Sequence, residues 1–401
     1  MKYNKWTVAL AAAGVVSLGS AHGEEQVNSV MTALSATTLS GYVDTSAQWN
    51  FGSGNAFLPD YKFGGPSKAD GFNLNTIQLR IEKPLSEEEW AAGYRVDLWA
   101  GPDANVLNTA SVFALNNSDF AVRQAYVALR VPVANGLDVK MGAFDSIIGY
   151  ESVESPSNPN HTRSYGHTIE PQTHTGVLAS YRVNEFFSAS FGIANTVGPI
   201  INEKAHGPNL SPNGETKAES YKTYMGSVAL TAPDNFGFLS GSTLYAGVVN
   251  GFGSSYGENQ TSWYVGSTVA TPVEGLRLGA AFDALDVHDL SGETWAVAGY
   301  GTFQATEKLS LHLRAEYLRD RGDQKYFTVD PFDPLGSTNP DKTLGITATA
   351  QYDLWKNVIS RLELRWDHSL SGQEVWGGSN EDSVPTLKNA WMLAANLIYR
   401  F

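Results

Sequence analysis

The side chains best placed to do chemistry are charges that recur at every second position. Arg314 and Glu316 stand two apart, as do Arg361, Glu363, Arg365 and Asp367, and apolar residues such as Leu313, Ala315, Leu362, Leu364 and Trp366 fill the positions between them. The same parity gathers Asp44, Arg80, Glu82, Arg95, Asp97, Asp138, Lys140, Arg182, Arg277 and Asp283. Arg123 is left out because the parity of its segment is ambiguous. Charges of both signs fixed on one face can set up a field that sorts solutes by charge and orientation. Their simpler role is ion pairing that stiffens a wall.

A second constellation runs GAFDSIIGYESVESPSNPNHTRSYGHTIEPQTHTG, residues 142–176, and holds Glu151, Glu154, His161, Arg163, His167, Glu170 and His174 around three prolines. Pro156 and Pro159 shape its backbone. A stretch of about thirty residues without periodicity is uncommon inside a compact domain unless it is functional. His161, His167 and His174 fit no metal-ligand spacing, so no metal or cofactor is expected. Ser164, His161 and Glu170 are the one set that could serve a hydrolase. Gly253-Ser254-Ser255-Tyr256-Gly257 matches the nucleophile-elbow pattern but lacks the strand–turn–helix context it needs. The Asp/Pro-rich 330–341 stretch reads as a solvated loop rather than a Ca²⁺ site.

The elements that must position these groups are strands. In 39–51, Leu39, Gly41, Val43, Thr45, Ala47, Trp49 and Phe51 share one face, and Ser40, Tyr42, Asp44, Ser46, Gln48 and Asn50 share the other. A period of two is a strand with two unlike faces. The pattern recurs near 71–83, 90–101, 119–131, 137–144, 174–184, 186–196, 220–232, 239–250, 260–271, 275–287, 293–304, 308–320, 342–354, 358–369 and 387–401, sixteen segments in all. Gly and Ser blur it most between 220 and 270. Short connections (84–89, 132–136, 184–185, 233–238, 272–274, 305–307, 355–357) alternate with longer ones (52–70, 102–118, 145–173, 197–219, 251–259, 288–292, 321–341, 370–386).

Composition points the same way. Charged residues make up 17% of the 401, glycine numbers 39 and aromatics reach 11%, yet past the N-terminus no apolar run approaches the ~18 residues a membrane helix needs. An even set of alternating segments with unequal turns is the pattern of a transmembrane antiparallel β-barrel with an apolar outer face and a polar lumen. A soluble sandwich is the competing fold. Trp49, Phe51, Phe186, Phe187, Trp355, Trp366 and Tyr399 at strand ends suit interfacial girdles. Residues 1–23 read as a secretory signal peptide, with Lys2 and Lys5, an apolar core at 8–18 and small residues at 19–23. Residues 24–36 form a periplasmic lead, and 37–401 the barrel. Removing Lys2 and Lys5 leaves 25 basic against 41 acidic residues, or −16, a balance wrong for nucleic acid. With no cysteine, thiol chemistry is excluded.

The stretches LSGYVDTSAQWNFG (39–52), RQAYVAL (123–129) and GYESVESPSNPNHTRSYGHTIEPQTHTGVLASY (149–181) resemble the OmpL-like β-barrel porin-2 family. The chain end, with Leu397, Tyr399 and Phe401 on one face, looks like the outer-membrane signal read by the barrel-assembly machinery. The resemblance implies an outer-membrane barrel with channel activity and names no solute. The 145–173 loop occupies the slot after the fifth strand, where sixteen-stranded general porins hold their constriction loop.

The expectation is therefore a non-enzymatic outer-membrane porin for passive diffusion of small hydrophilic solutes or ions. Glu151, Glu154, His161, Arg163, His167 and Glu170 would form the constriction. The alternative is an occluded structural or adhesive barrel that binds a partner through its outer loops. Expected partners are outer-membrane lipid and lipopolysaccharide, the assembly machinery and solutes. Porins of this size often form homo-oligomers, though no stretch here reports an interface. Because loop charges act across only about 8 Å at physiological salt, a weak cation preference is expected from Glu151, Glu154 and Glu170 rather than from outer-loop residues such as Glu215 and Glu219.

Overall fold

The computed structural model describes residues 37–401, except 53, 111–117, 206–219, 254, 256, 328–338 and 379–383. The leader and lead (1–36), Ser254, Tyr256, Glu215, Glu219 and most of 330–341 lie outside the described residues.

Sixteen strands form one closed antiparallel barrel, each paired with its chain neighbours, and β1 closes against β16. They are β1 Thr38–Asn50, β2 Gly71–Lys83, β3 Ala92–Ala100, β4 Phe120–Val131, β5 Leu137–Asp145, β6 Thr173–Arg182, β7 Phe187–Ala194 and β8 Thr223–Thr231. The second half comprises β9 Thr243–Gly253, β10 Glu258–Ala270, β11 Leu276–Val287, β12 Gly292–Gln304, β13 Leu309–Gly322, β14 Lys342–Trp355, β15 Val358–Ser369 and β16 Asn389–Arg400. The alternation explains the closure. In β13, Leu311 and Leu313 are exposed outward while Arg314 and Glu316 are buried inward. A closed sheet leaves no unpaired edge, and its outward apolar side chains suit lipid.

Three register shifts interrupt the pairing among the described residues. That at Asp353/Trp355 lies beside the β14–β15 turn, and the other two bear on the lumen. One lies between β1 and β2 at Asp44/Thr45 and turns the consecutive Asn75 and Thr76 both inward. The other lies between β3 and β4 at Asp97/Leu98 and does the same for Arg123 and Gln124. A bulge places two residues opposite one and re-aims the side chains around it. This settles Arg123, whose parity the sequence leaves ambiguous: it faces the lumen.

Three expectations change. The connections read as long at 251–259 and 288–292 are tight, because β9 runs to Gly253, β10 starts at Glu258, and β11 and β12 are four residues apart. The strand expected from 239 starts at Thr243, since Asp234–Leu239 forms a 3-10 segment in the turn. The lumen is not polar all round. From β6 to β12 its wall is largely apolar, with Leu178, Met225, Tyr245, Val249 and Tyr264 all buried.

At the chain end, Leu397, Tyr399 and Phe401 are exposed on the outer face. The Phe401 and Gly41 backbones exchange two hydrogen bonds, each of 3.0 Å.

Candidate functional site

The segment between β5 and β6, residues 146–172, meets inward-facing side chains from nearly every side of the barrel. It carries a 3-10 turn at Ser155–Ser157 and a short helix, α2, at Tyr165–Ile169; α1 is Pro102–Leu107 in an earlier loop.

Its first arm is apolar. Ile147 and Ile148 pack with Leu178, Val197, Met225, Tyr245 and Val249. The Tyr245 hydroxyl donates to the Ile147 carbonyl. Tyr150 stacks on Tyr300 with centroids 4.0 Å apart. Two strand glycines make room for this arm: a Cβ on Gly247 would lie 2.6 Å from Ile148 Cγ2, and one on Gly279 would lie 2.0 Å from the Tyr150 hydroxyl.

Beyond Tyr150 the contacts become ionic. Glu151 accepts from Arg314 at 3.0 Å, from the Tyr300 hydroxyl at 3.2 Å and from the Ser164 amide at 2.9 Å. Glu154 crosses to β2, β3 and β4, where it meets Arg80, Arg95 (2.9 Å) and Arg123 (3.2 Å). The returning chain is held by β13 and β15. Glu363 accepts from the His161 amide (2.6 Å), the Thr162 amide (3.0 Å) and the Thr162 hydroxyl (2.6 Å). Arg361 donates to the carbonyls of Ser155 (3.1 Å) and Asn158 (2.6 Å). Arg365 donates to the Arg163 carbonyl at 2.8 Å. Glu316 accepts from the Tyr165 amide at 2.6 Å, and Asp367 from the Tyr165 hydroxyl at 2.7 Å. The Ser164 hydroxyl caps α2 by accepting from the His167 amide at 3.0 Å.

Two glutamates of the loop, Glu154 and Glu170, sit in opposite environments. Burial alone would raise the Glu154 carboxyl, but Arg80, Arg123 and Arg95 outweigh it and hold the group below its ordinary range. Glu170 is pushed well above its range by burial and by Asp283 on β11. Burial is the leading cause that lowers His161 and His167, which favours neutral rings.

Not every charge singled out from the sequence joins this network. Asp44 instead accepts from Asn75 (3.1 Å) and Asn396 (2.6 Å). Toward the barrel end that carries the termini, Glu82 reaches only 3.9 Å from Arg95, Asp138 pairs with Arg130 at 2.9 Å, and Lys140 lies 4.9 Å from the Tyr126 ring centroid. Arg182 and Arg277 lie at that same end, on β6 and β11. The hydrolase set is not assembled. Ser164 caps α2, the His161 amide bonds Glu363, and Glu170 faces Asp283.

The sequence reading missed the 51–70 loop, which also turns inward. Arg365 stacks 4.0 Å from the Tyr61 ring centroid and Arg163 lies 5.5 Å from that of Phe63. The Lys62 amide donates to the Thr168 hydroxyl at 2.9 Å, and Lys68 pairs with Asp103 of α1. The run Tyr61-Lys62-Phe63 within a polar loop was the available signal.

A family model described as "Putative beta-barrel porin-2, OmpL-like" matches residues 36–401. A sequence comparison with curated proteins finds no match. Among solved structures, the barrel is similar to the outer-membrane channel DcaP of Acinetobacter baumannii, with a TM-score of 0.55, 14% identity, and coverage of 91% of this chain and 97% of that one. It is similar to Pseudomonas putida OprB at TM-score 0.58, 13% identity, and 91% and 94% coverage. An anion-selective porin from Comamonas acidovorans aligns at TM-score 0.53, 12% identity, and 91% and 99% coverage. At these identities the likeness is one of fold.

Proposed function

The chain belongs to the OmpL-like β-barrel porin-2 family, and from that premise we propose that this outer-membrane channel passes small hydrophilic solutes or ions through a lumen narrowed by the 146–172 loop. The observation that carries the reading is the span of that loop. Glu154 reaches the arginines of β2–β4, while Thr162 and Tyr165 are held by Glu363 and Asp367 of β15. A loop fixed to both sides of a charged wall leaves solutes to pass between oriented charges.

Glu151, Glu154, His161, Arg163, His167 and Glu170 are the proposed constriction, and the inward charges of β1–β5 and β13–β15 are its electrostatic frame. A weak cation preference is proposed at low salt. Leu397, Tyr399 and Phe401 are proposed as the assembly signal, residues 1–23 as a cleaved leader, and lipopolysaccharide and further copies of the chain as membrane partners. The second reading, an occluded barrel acting through its outer loops, draws support from the burial of every residue from Arg163 to Glu170.

Planar-bilayer recording of the refolded chain in a KCl gradient tests the proposal. Stepwise conductance with a reversal potential displaced toward cations is expected. Intact, heat-modifiable barrels that insert and carry no current would favour the occluded reading.

A further inference from the structure

Three guanidiniums from adjacent strands converge on one carboxylate oxygen. Glu154 Oε1 lies within ion-pair range of Arg80 on β2, Arg95 on β3 and Arg123 on β4. The bulge opposite Asp97/Leu98 is what brings Arg123 into this row. The wall's own carboxylate, Asp97, takes the far side of the cluster: Arg80 Nε at 2.8 Å, Arg95 Nε at 2.9 Å and Arg123 Nη1 at 2.6 Å. Asp145 also pairs with Arg123, Glu82 approaches Arg95 at 3.9 Å, and Lys140 adds a fourth cation in the field of Arg95 and Asp145. Asp97 is the strand carboxylate that contacts all three guanidiniums. The loop supplies a second that does, Glu154.

The Glu154 side chain is one of several holds on the loop. The arm that carries it is held independently: Asn158 bonds the Ser152 amide (2.8 Å) and the Ser152 and Glu154 carbonyls (2.6 and 2.9 Å), and Arg361 holds the Ser155 and Asn158 carbonyls. With the backbone so held, a change of the Glu154 rotamer would suffice to vacate the site. Planar arginine forks favour a planar carboxylate over a point anion.

We propose that Arg80, Arg95 and Arg123 form a binding subsite for solute carboxylates, with Glu154 as a built-in occupant that the solute displaces. The proposal deepens the porin reading above and rests on it for its role in transport; the binding itself does not require conduction.

The test is calorimetric titration of the refolded full chain in detergent with acetate, succinate and, at matched ionic strength, sulfate. Compared are the wild type, Glu154→Gln and the double variant Arg123→Gln/Glu154→Gln, each checked for folding by heat-modifiable migration. Glu154→Gln should bind succinate at least tenfold more tightly than the wild type, the double variant should lose that gain, and sulfate should bind more weakly than succinate. If Glu154→Gln does not fold, Glu154→Asp, whose shorter side chain draws the carboxylate back, should give an intermediate gain. Equal affinity in wild type and Glu154→Gln, an unchanged double variant, or sulfate binding as tight as succinate would each overturn the proposal. Bilayer recording on the same samples keeps the two ideas apart: loss of all current with retained binding sinks the porin reading and leaves the subsite standing.

Discussion

The two halves of the lumen wall hold the same loop by different physics. From β13 through β16 and on to β5, strand charges grip loop carboxylates and carbonyls through Arg80, Arg95, Arg314, Arg361 and Arg365, and loop amides through Glu363. From β6 to β12 the wall is largely apolar, Asp283 apart, and accepts Ile147, Ile148 and Tyr150 by shape, with Gly247 and Gly279 as sockets. Ion pairs fix where charge sits, and packing fixes where the arm enters. Two glutamates of one loop behave oppositely for the same reason: Glu154 meets arginines, Glu170 meets another carboxylate.

The largest expected effect comes from the charged half. Arg314→Met removes the cation paired with Glu151, leaves Glu316 to Arg365 at 3.6 Å, and strips donors from the Thr162 and Arg163 carbonyls. Breaking a buried pair from one side costs about 3–5 kcal/mol. The loop should loosen enough for trypsin to cut after Arg163, detectable by mass spectrometry, while the wild type resists. An uncut loop would mean that the ionic half does not hold it.

Gly247→Val probes the apolar half. The new side chain meets Ile148, and overpacking of this kind costs about 1–3 kcal/mol. Adding Ile148→Ala should recover much of the loss in thermal midpoint. Additive effects in the double variant would show that the socket is not a contact the loop depends on.

A smaller pair of effects is set by pH. The folded Glu154 carboxyl lies below its unfolded value, so its contribution is full above the ordinary carboxylate range and vanishes as pH falls through the folded value. Glu170 is raised, so its contribution is present at low pH and is lost as pH rises through its folded value. Glu154→Gln should flatten the acid limb of loop protection and Glu170→Gln the alkaline limb, read by hydrogen exchange. Exchange of the two limbs would invert the comparison.

Least of all should come from the far rim of the barrel. Glu293 pairs with the half-buried Arg319 and the exposed Arg321, where solvent reaches the pair and screens the attraction. Glu293→Gln should leave both loop protection and thermal midpoint unchanged.

Much of this was legible in the sequence, and the gaps have physical causes. Strands such as 309–319 and 358–368 announced their faces because charge and Leu alternate there. Arg123 did not, because a bulge breaks the period at that residue. Between 220 and 270 the alternation faded because the inward residues, Met225, Ala229, Tyr245 and Val249, are themselves apolar and face the loop rather than water. The sequence offered the loop's ionisable residues but not their partners, since Glu154 and Arg80 are 74 positions apart. The inward course of Tyr61 and Lys62 was hidden because their loop also contains the glycines and polar residues of a solvated one.

The proposed role of the 146–172 loop in limiting the lumen is tested most directly by single-channel conductance of the refolded barrel before and after residues 150–170 are replaced by a short Gly/Ser linker. A conductance several-fold higher is expected in the shortened chain, with weaker dependence of the reversal potential on salt. Equal conductance in the two barrels, both folded and inserted, would contradict it.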